Sequence, residues 1–126
     1  MTSIFRGVIP ALMTEMKQDG ALDHEATSRH IESCLAAGVN GFVMLGTLGE
    51  TSSLSLEEKE TVVRNAVQTV NGRAPIIAGV AEYTTDLAIA TARRLAAAGA
   101  DGLMALPTMV YQQDAREGEQ IGRAHV

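Results

Sequence analysis

Two segments of this chain repeat one pattern. Ala36-Ala-Gly-Val-Asn-Gly-Phe-Val-Met-Leu45 and Ala97-Ala-Gly-Ala-Asp-Gly-Leu-Met-Ala-Leu106 share Ala, Ala, Gly, Gly and Leu at matching positions. Each reads as a helix end, a tight glycine turn and an apolar run of strand length. An apolar run without alternation marks a strand buried on both faces, as in parallel sheets. A further strand-like run, Pro75-Ile-Ile-Ala-Gly-Val80, lies between the two units. Repeated right-handed crossovers around a parallel sheet are the simplest arrangement of such units.

The remaining elements fit that order. Gly7–Met13 is a short apolar run that Pro10 makes irregular or edge-like. Asp23 is placed to cap a helix running to about Ala37, with Ile31, Cys34 and Leu35 on one face and Gly38 as its stop. Ser55-Leu-Glu-Glu58 is a capping-box signature for a second helix, which carries Val62, Val63, Ala66, Val67 and Val70 at helical spacing and ends at Asn71-Gly72. Its charged start, Glu57 to Glu60 with Lys59, reads as a solvated face. A third helix, Asp86 to Ala98, is expected to turn Leu87, Ala90 and Leu95 inward, and Gly102–Leu106 is the fourth strand. About four parallel strands and three helices suit either a small doubly wound sheet or part of a (β/α)8 barrel, which needs roughly 250 residues.

The second strand runs straight into Gly46-Thr-Leu-Gly-Glu50. Its glycines allow a sharp turn and close approach of a ligand, with amides and the Thr47 hydroxyl at the C-terminal end of the strand. In α/β folds that end is where ligands bind, and such a turn suits a small anion. Bulk properties narrow the partners. The net charge is −5, aromatic residues make up 3% and Trp is absent, which argues against a nucleic-acid surface. The single Cys34 fits a reducing, cytoplasmic setting, and neither a signal peptide nor a membrane span is evident. His24 and His30 do not share a helix face, so no metal site is expected, and Met44, Met104 and Met109 read as core.

With Gly46-Thr-Leu-Gly-Glu50, Phe5-Arg-Gly-Val-Ile-Pro-Ala11, Leu54 to Glu58, Pro75-Ile-Ile-Ala-Gly79, Ala98-Gly-Ala-Asp-Gly102, Pro107 and Tyr111 in this order, the chain resembles the dihydrodipicolinate synthase / N-acetylneuraminate lyase family. The likeness runs to about Glu119. It implies the N-terminal half of a TIM (β/α)8 barrel from an enzyme assembled as a homotetramer or dimer. It also implies lyase chemistry (aldolase, synthase or dehydratase) on pyruvate or a related 2-oxo acid, held as a Schiff base on a lysine, with no further cofactor. On this resemblance Thr47 is a catalytic relay hydroxyl, Thr47 and the Leu48 amide bind the substrate carboxylate, and Tyr111 is the relay tyrosine lent across the dimer interface. Leu48 departs from the family, which places a second Thr or a Gly there. That departure leans away from a strict lysine-biosynthesis synthase. Glu50 reads as a structural carboxylate.

Only Lys17 and Lys59 are available as lysines, and neither is expected at a strand end. The Schiff-base lysine and main catalytic tyrosine of the family are therefore expected beyond this sequence, which leaves the chain inactive by itself. Ile121-Gly-Arg-Ala-His-Val126 matches the conceptual translation of a common sequencing adapter, and Gln120 is compatible with it. The domain reading is thus a partial barrel over 1–119 and an adapter-derived tail over 120–126. The alternative is a small non-enzymatic α/β binding or assembly module.

Overall fold

The structure, a computed structural model, describes residues 3–46, 49, 51–106, 115, 116 and 119. Up to residue 106, three helices and three strands alternate among the described residues: α1 His24–Ala36, β1 Phe42–Met44, α2 Leu56–Val70, β2 Ile76–Val80, α3 Thr85–Ala97 and β3 Gly102–Ala105. A short 3-10 turn, Thr51–Ser53, precedes α2. The strands form one parallel sheet in the order β1-β2-β3, with Phe42 opposite Ile76 and Ile77 opposite Gly102. Every sheet connection is therefore a helical crossover, as parallel pairing requires.

The helices begin where side chains can satisfy their first amides. Asp23 accepts from the Ala26 amide at α1, Thr84 accepts from Leu87 at α3, and Ser55 and Glu58 form a complete capping box at α2. α2 ends through Asn71 in the left-handed conformation. α2 packs across β1 and β2, α3 across β2 and β3, and α1 against α2. Phe42, Met44, Ile76, Ala78 and Val80 of the sheet meet Ile31, Val62, Val63, Ala66, Val70, Ala88, Ala92 and Leu95 of the helices in one core.

Four points differ from the sequence expectation. First, the Gly7–Met13 run is irregular, as Pro10 implies, but among the described residues it forms a single bridge from Ala11 to Val43 in place of a fourth strand. Val43 donates to the Pro10 carbonyl and Leu12 donates to Val43, but Pro10 has no N–H for the next rung toward Gly41. Second, Leu87 and Ala90 face outward, while Ala88, Thr91, Ala92 and Leu95 face the core. A stripe through Leu87 and Ala90 would also turn Arg94 inward. Third, Lys59 is not solvated: it is 4% exposed. Fourth, β3 is only partly buried, with Met104 and Ala105 exposed, because no strand covers its outer edge among the described residues.

Candidate functional site at the carboxyl end of the sheet

β1 ends in a backbone reversal. Leu45, fully buried, adopts φ +63°, a left-handed conformation that is an outlier for a bulky side chain. The reversal lays the Leu45–Gly46 peptide over Gly79 of β2. A Cβ at position 79 would lie 2.3 Å from the Leu45 carbonyl oxygen and 3.3 Å from the Gly46 nitrogen, so only glycine fits there. The far side of the turn is held as well. The Thr14 hydroxyl, buried, donates to the Gly49 carbonyl at 2.6 Å, and the Thr51 amide donates to the Gly46 carbonyl at 3.4 Å. Position 49 is also close-packed, though less so, with an added Cβ 3.0 Å from the Leu45 nitrogen. The Thr51 hydroxyl is buried and finds no hydrogen-bond partner among the described residues.

At the same end of the sheet lies a largely buried charged pair. Lys59 Nζ, in the second turn of α2, donates to Glu82 Oε1 at 2.7 Å, and the side chains are 5% and 12% exposed. Thr91 of α3 donates its hydroxyl to the same oxygen at 3.2 Å. Glu82 follows β2 by two residues, so the pair sits on the same side of the sheet as the Gly46 turn. Glu82 and Thr91 were missing from the expected site, yet a signal for Lys59 existed: it lies three and four residues before Val62 and Val63, on the buried stripe of α2.

Thr47, Leu48, Glu50 and Tyr111, together with the 120–126 segment, lie outside the described residues. What the structure places is the frame around Thr47 and Leu48: Gly46 on one side, and Gly49 and Thr51 on the other. Lys17 is exposed on a turn closed by hydrogen bonds between Lys17 and Ala21 and between Gly20 and Lys17. Cys34 is half-buried against the core. Among the described residues no group of His, Cys, Asp or Glu is gathered to hold a metal, and no helix is long and apolar enough to cross a membrane.

A parallel sheet with crossover helices and a glycine-buttressed turn at its carboxyl end suits both barrel and doubly wound α/β proteins, and the relatives of the chain decide between them. The profile of the Dihydrodipicolinate synthetase family matches residues 4–126. The chain belongs to that family. Curated relatives named 4-hydroxy-tetrahydrodipicolinate synthase include that of Methanoculleus marisnigri, 38% identical over 117 residues covering 91% of this chain and 40% of the relative. The Hyphomonas neptunium protein of the same name is 45% identical over 101 residues, 80% of this chain and 34% of its own. Among solved structures, YagE from E. coli K12, a prophage protein of this family crystallised with pyruvate, superposes with a TM-score of 0.91 at 30% identity. That superposition covers 97% of this chain and 42% of YagE. Dihydrodipicolinate synthase from Aquifex aeolicus superposes with a TM-score of 0.85 at 31% identity, covering 95% and 42%.

The chain thus spans about two fifths of the length of these relatives. The fold it carries is the N-terminal half of a TIM barrel, and the doubly wound alternative is set aside. In that barrel β1, β2 and β3 are neighbouring staves, and the Gly46 turn stands at the face where barrel enzymes place their sites.

Proposed function

We propose that this chain supplies the carboxylate-binding corner of a lyase that acts on pyruvate or a related 2-oxo acid through a Schiff base. The observation that carries the reading is the reversed Leu45–Gly46 peptide, braced by Gly79 and by the Thr14–Gly49 hydrogen bond at the carboxyl end of β1. Consecutive amides in a reversed turn form a concavity suited to an anion, and a rigid turn holds its donors in place before the ligand arrives. In this reading the amides of Thr47 and Leu48 bind the carboxylate, and the Thr47 hydroxyl passes a proton with Tyr111. Leu48 adds no hydroxyl, which suits a parent enzyme diverged from strict synthase chemistry. Pyruvate in the complex of the related E. coli protein supports the choice of ligand.

The covalent step needs a free amine to attack the 2-oxo carbon and expel water. Lys59 is engaged with Glu82 and buried, and Lys17 is on an exposed turn. We therefore assign the Schiff-base lysine and the main tyrosine to the remainder of the parent barrel, and the reaction to a cytoplasmic, multimeric parent enzyme. The 120–126 segment is read as adapter-derived and takes no part.

The test is a titration of the isotope-labelled chain with pyruvate, paired with borohydride reduction. Amide shifts confined to Gly46–Thr51, with no trapped adduct, are the expected result. An adduct on Lys17 or Lys59, or shifts centred elsewhere on the sheet, would refute the assignment.

A further inference from the structure

Lys59, Glu82 and Thr91 are not among the groups assigned to the carboxylate above, yet Lys59 and Thr91 are buried with the core and the Glu82 side chain is largely so. An ammonium and a carboxylate taken from water lose hydration that their mutual attraction only partly restores, so such a pair is poor evidence of net stabilisation. Its value lies in geometry. Lys59 belongs to the helix that the Gly46 turn leads into, and Glu82 stands three residues beyond Gly79, the residue over which the Leu45–Gly46 peptide lies. Thr91 fixes the acceptor oxygen from a third element, α3.

A left-handed leucine persists only where its surroundings over-determine it. Thr14 restrains the Gly49 side of this turn, and Gly79 faces the Leu45 side. The segments bearing these two sides are joined by the Lys59–Glu82 bridge. We propose that Lys59 and Glu82 form a positioning clamp that holds the Leu45–Gly46 peptide reversed against Gly79, and thereby sets the turn's affinity for a carboxylate. The second half of this statement rests on the carboxylate-binding reading above. The first half does not.

The experiment uses the labelled 126-residue chain, wild type and K59M/E82M, reading the backbone-sensitive shifts of Leu45 and Gly46 with and without pyruvate. Replacing both charges leaves no stranded ion, so the double variant is expected to keep a cooperative melt. Its Leu45 shifts should move out of the left-handed range, and pyruvate affinity should fall by about tenfold, as when a ligand must reorder its own site. A merely structural pair would change the melt and leave those shifts in place. Left-handed Leu45 shifts in K59M/E82M, with affinity within about twofold of wild type, overturn the clamp. Should the double variant not fold, T91V decides: removing the hydroxyl donor to Glu82 must displace the Leu45 and Gly46 resonances, and unchanged resonances overturn the proposal. If wild type shows no response to pyruvate, the carboxylate reading falls, while the Leu45 shifts still decide whether the clamp exists.

Discussion

Gly79 carries more of this fold than its position in an apolar strand suggests. In Pro75-Ile-Ile-Ala-Gly-Val80 it reads as one small residue among β formers, and nothing local says that a peptide of another strand rests on it. G79A places a methyl 2.3 Å from the Leu45 carbonyl oxygen, so either the reversal or the β1–β2 pairing must yield. A loss of about 1–3 kcal/mol in urea unfolding is expected, the range for overpacking a close-packed site. The Gly46 amide resonance should shift at the same time. A G79A chain with wild-type stability and an unmoved Gly46 would mean that the peptide has room. Leu45 was equally hard to read, because its left-handed backbone is imposed by residues distant in sequence. Lys59 is the instructive case: its charge suggested solvent while its phase with Val62 and Val63 placed it inside, and phase prevailed because Glu82 was there to receive it.

Elements were most legible where the signal is local. The Asp23 cap, the Ser55–Glu58 box and the Asn71 stop each depend on residues within one helical turn, and all three lie where the sequence places them. The α3 stripe was misread because Leu87 outweighs Ala88 in hydrophobicity, although only the stripe through Ala88, Ala92 and Leu95 keeps Arg94 outside. Arg94 there pairs with Glu60 of α2. How α1 and α2 are tied could not be read from either helix alone. Arg73, just past α2, donates to the Val70 and Thr69 carbonyls and makes a two-pronged contact with Glu32 of α1 at 2.6 and 3.2 Å. Hydrogen bonds from Arg73 hold the Glu32 carboxyl below its usual range, and Glu32 raises Arg73 in turn. A depressed carboxyl stabilises the fold above its unfolded pKa and loses that contribution as pH falls through the folded one. E32Q should therefore melt slightly below wild type at neutral pH, and the two curves should converge as pH falls below the ordinary glutamate range. Both side chains are about half exposed, so the gap should be small and should narrow further with added salt. A gap that persists at low pH would show that the charge of Glu32 is not what matters.

At the scale of the molecule, a parallel sheet made by helical crossovers was legible from the repeated helix-end, glycine-turn, strand unit, because that pattern is both local and periodic. The site was legible only as a place, since its geometry is set by Thr14, Gly79 and Glu82 from three different segments. The same sheet carries an exposed consequence. β3 has β2 on one side and, among the described residues, no strand on the other, and Met104 and Leu106 are 40% and 42% exposed. A closed barrel has no such edge, because each strand is hydrogen-bonded on both sides. An unpaired edge flanked by apolar side chains is a template for another chain. The isolated chain is therefore expected to associate as concentration rises, seen by sedimentation velocity as a weight-average mass climbing above the 13.3 kDa of one chain. M104K should suppress that climb, because a lysine opposite a lysine repels an incoming copy of the same edge. It should leave the melt within about 0.5 kcal/mol of wild type, as expected for an exposed position. The two readouts separate the causes. A monomer at all concentrations would show that the β3 edge is already satisfied. Association that survives M104K unchanged would move the contact to another exposed apolar side chain, such as Val8, which lies beside Asn40 at the β1 margin of the sheet.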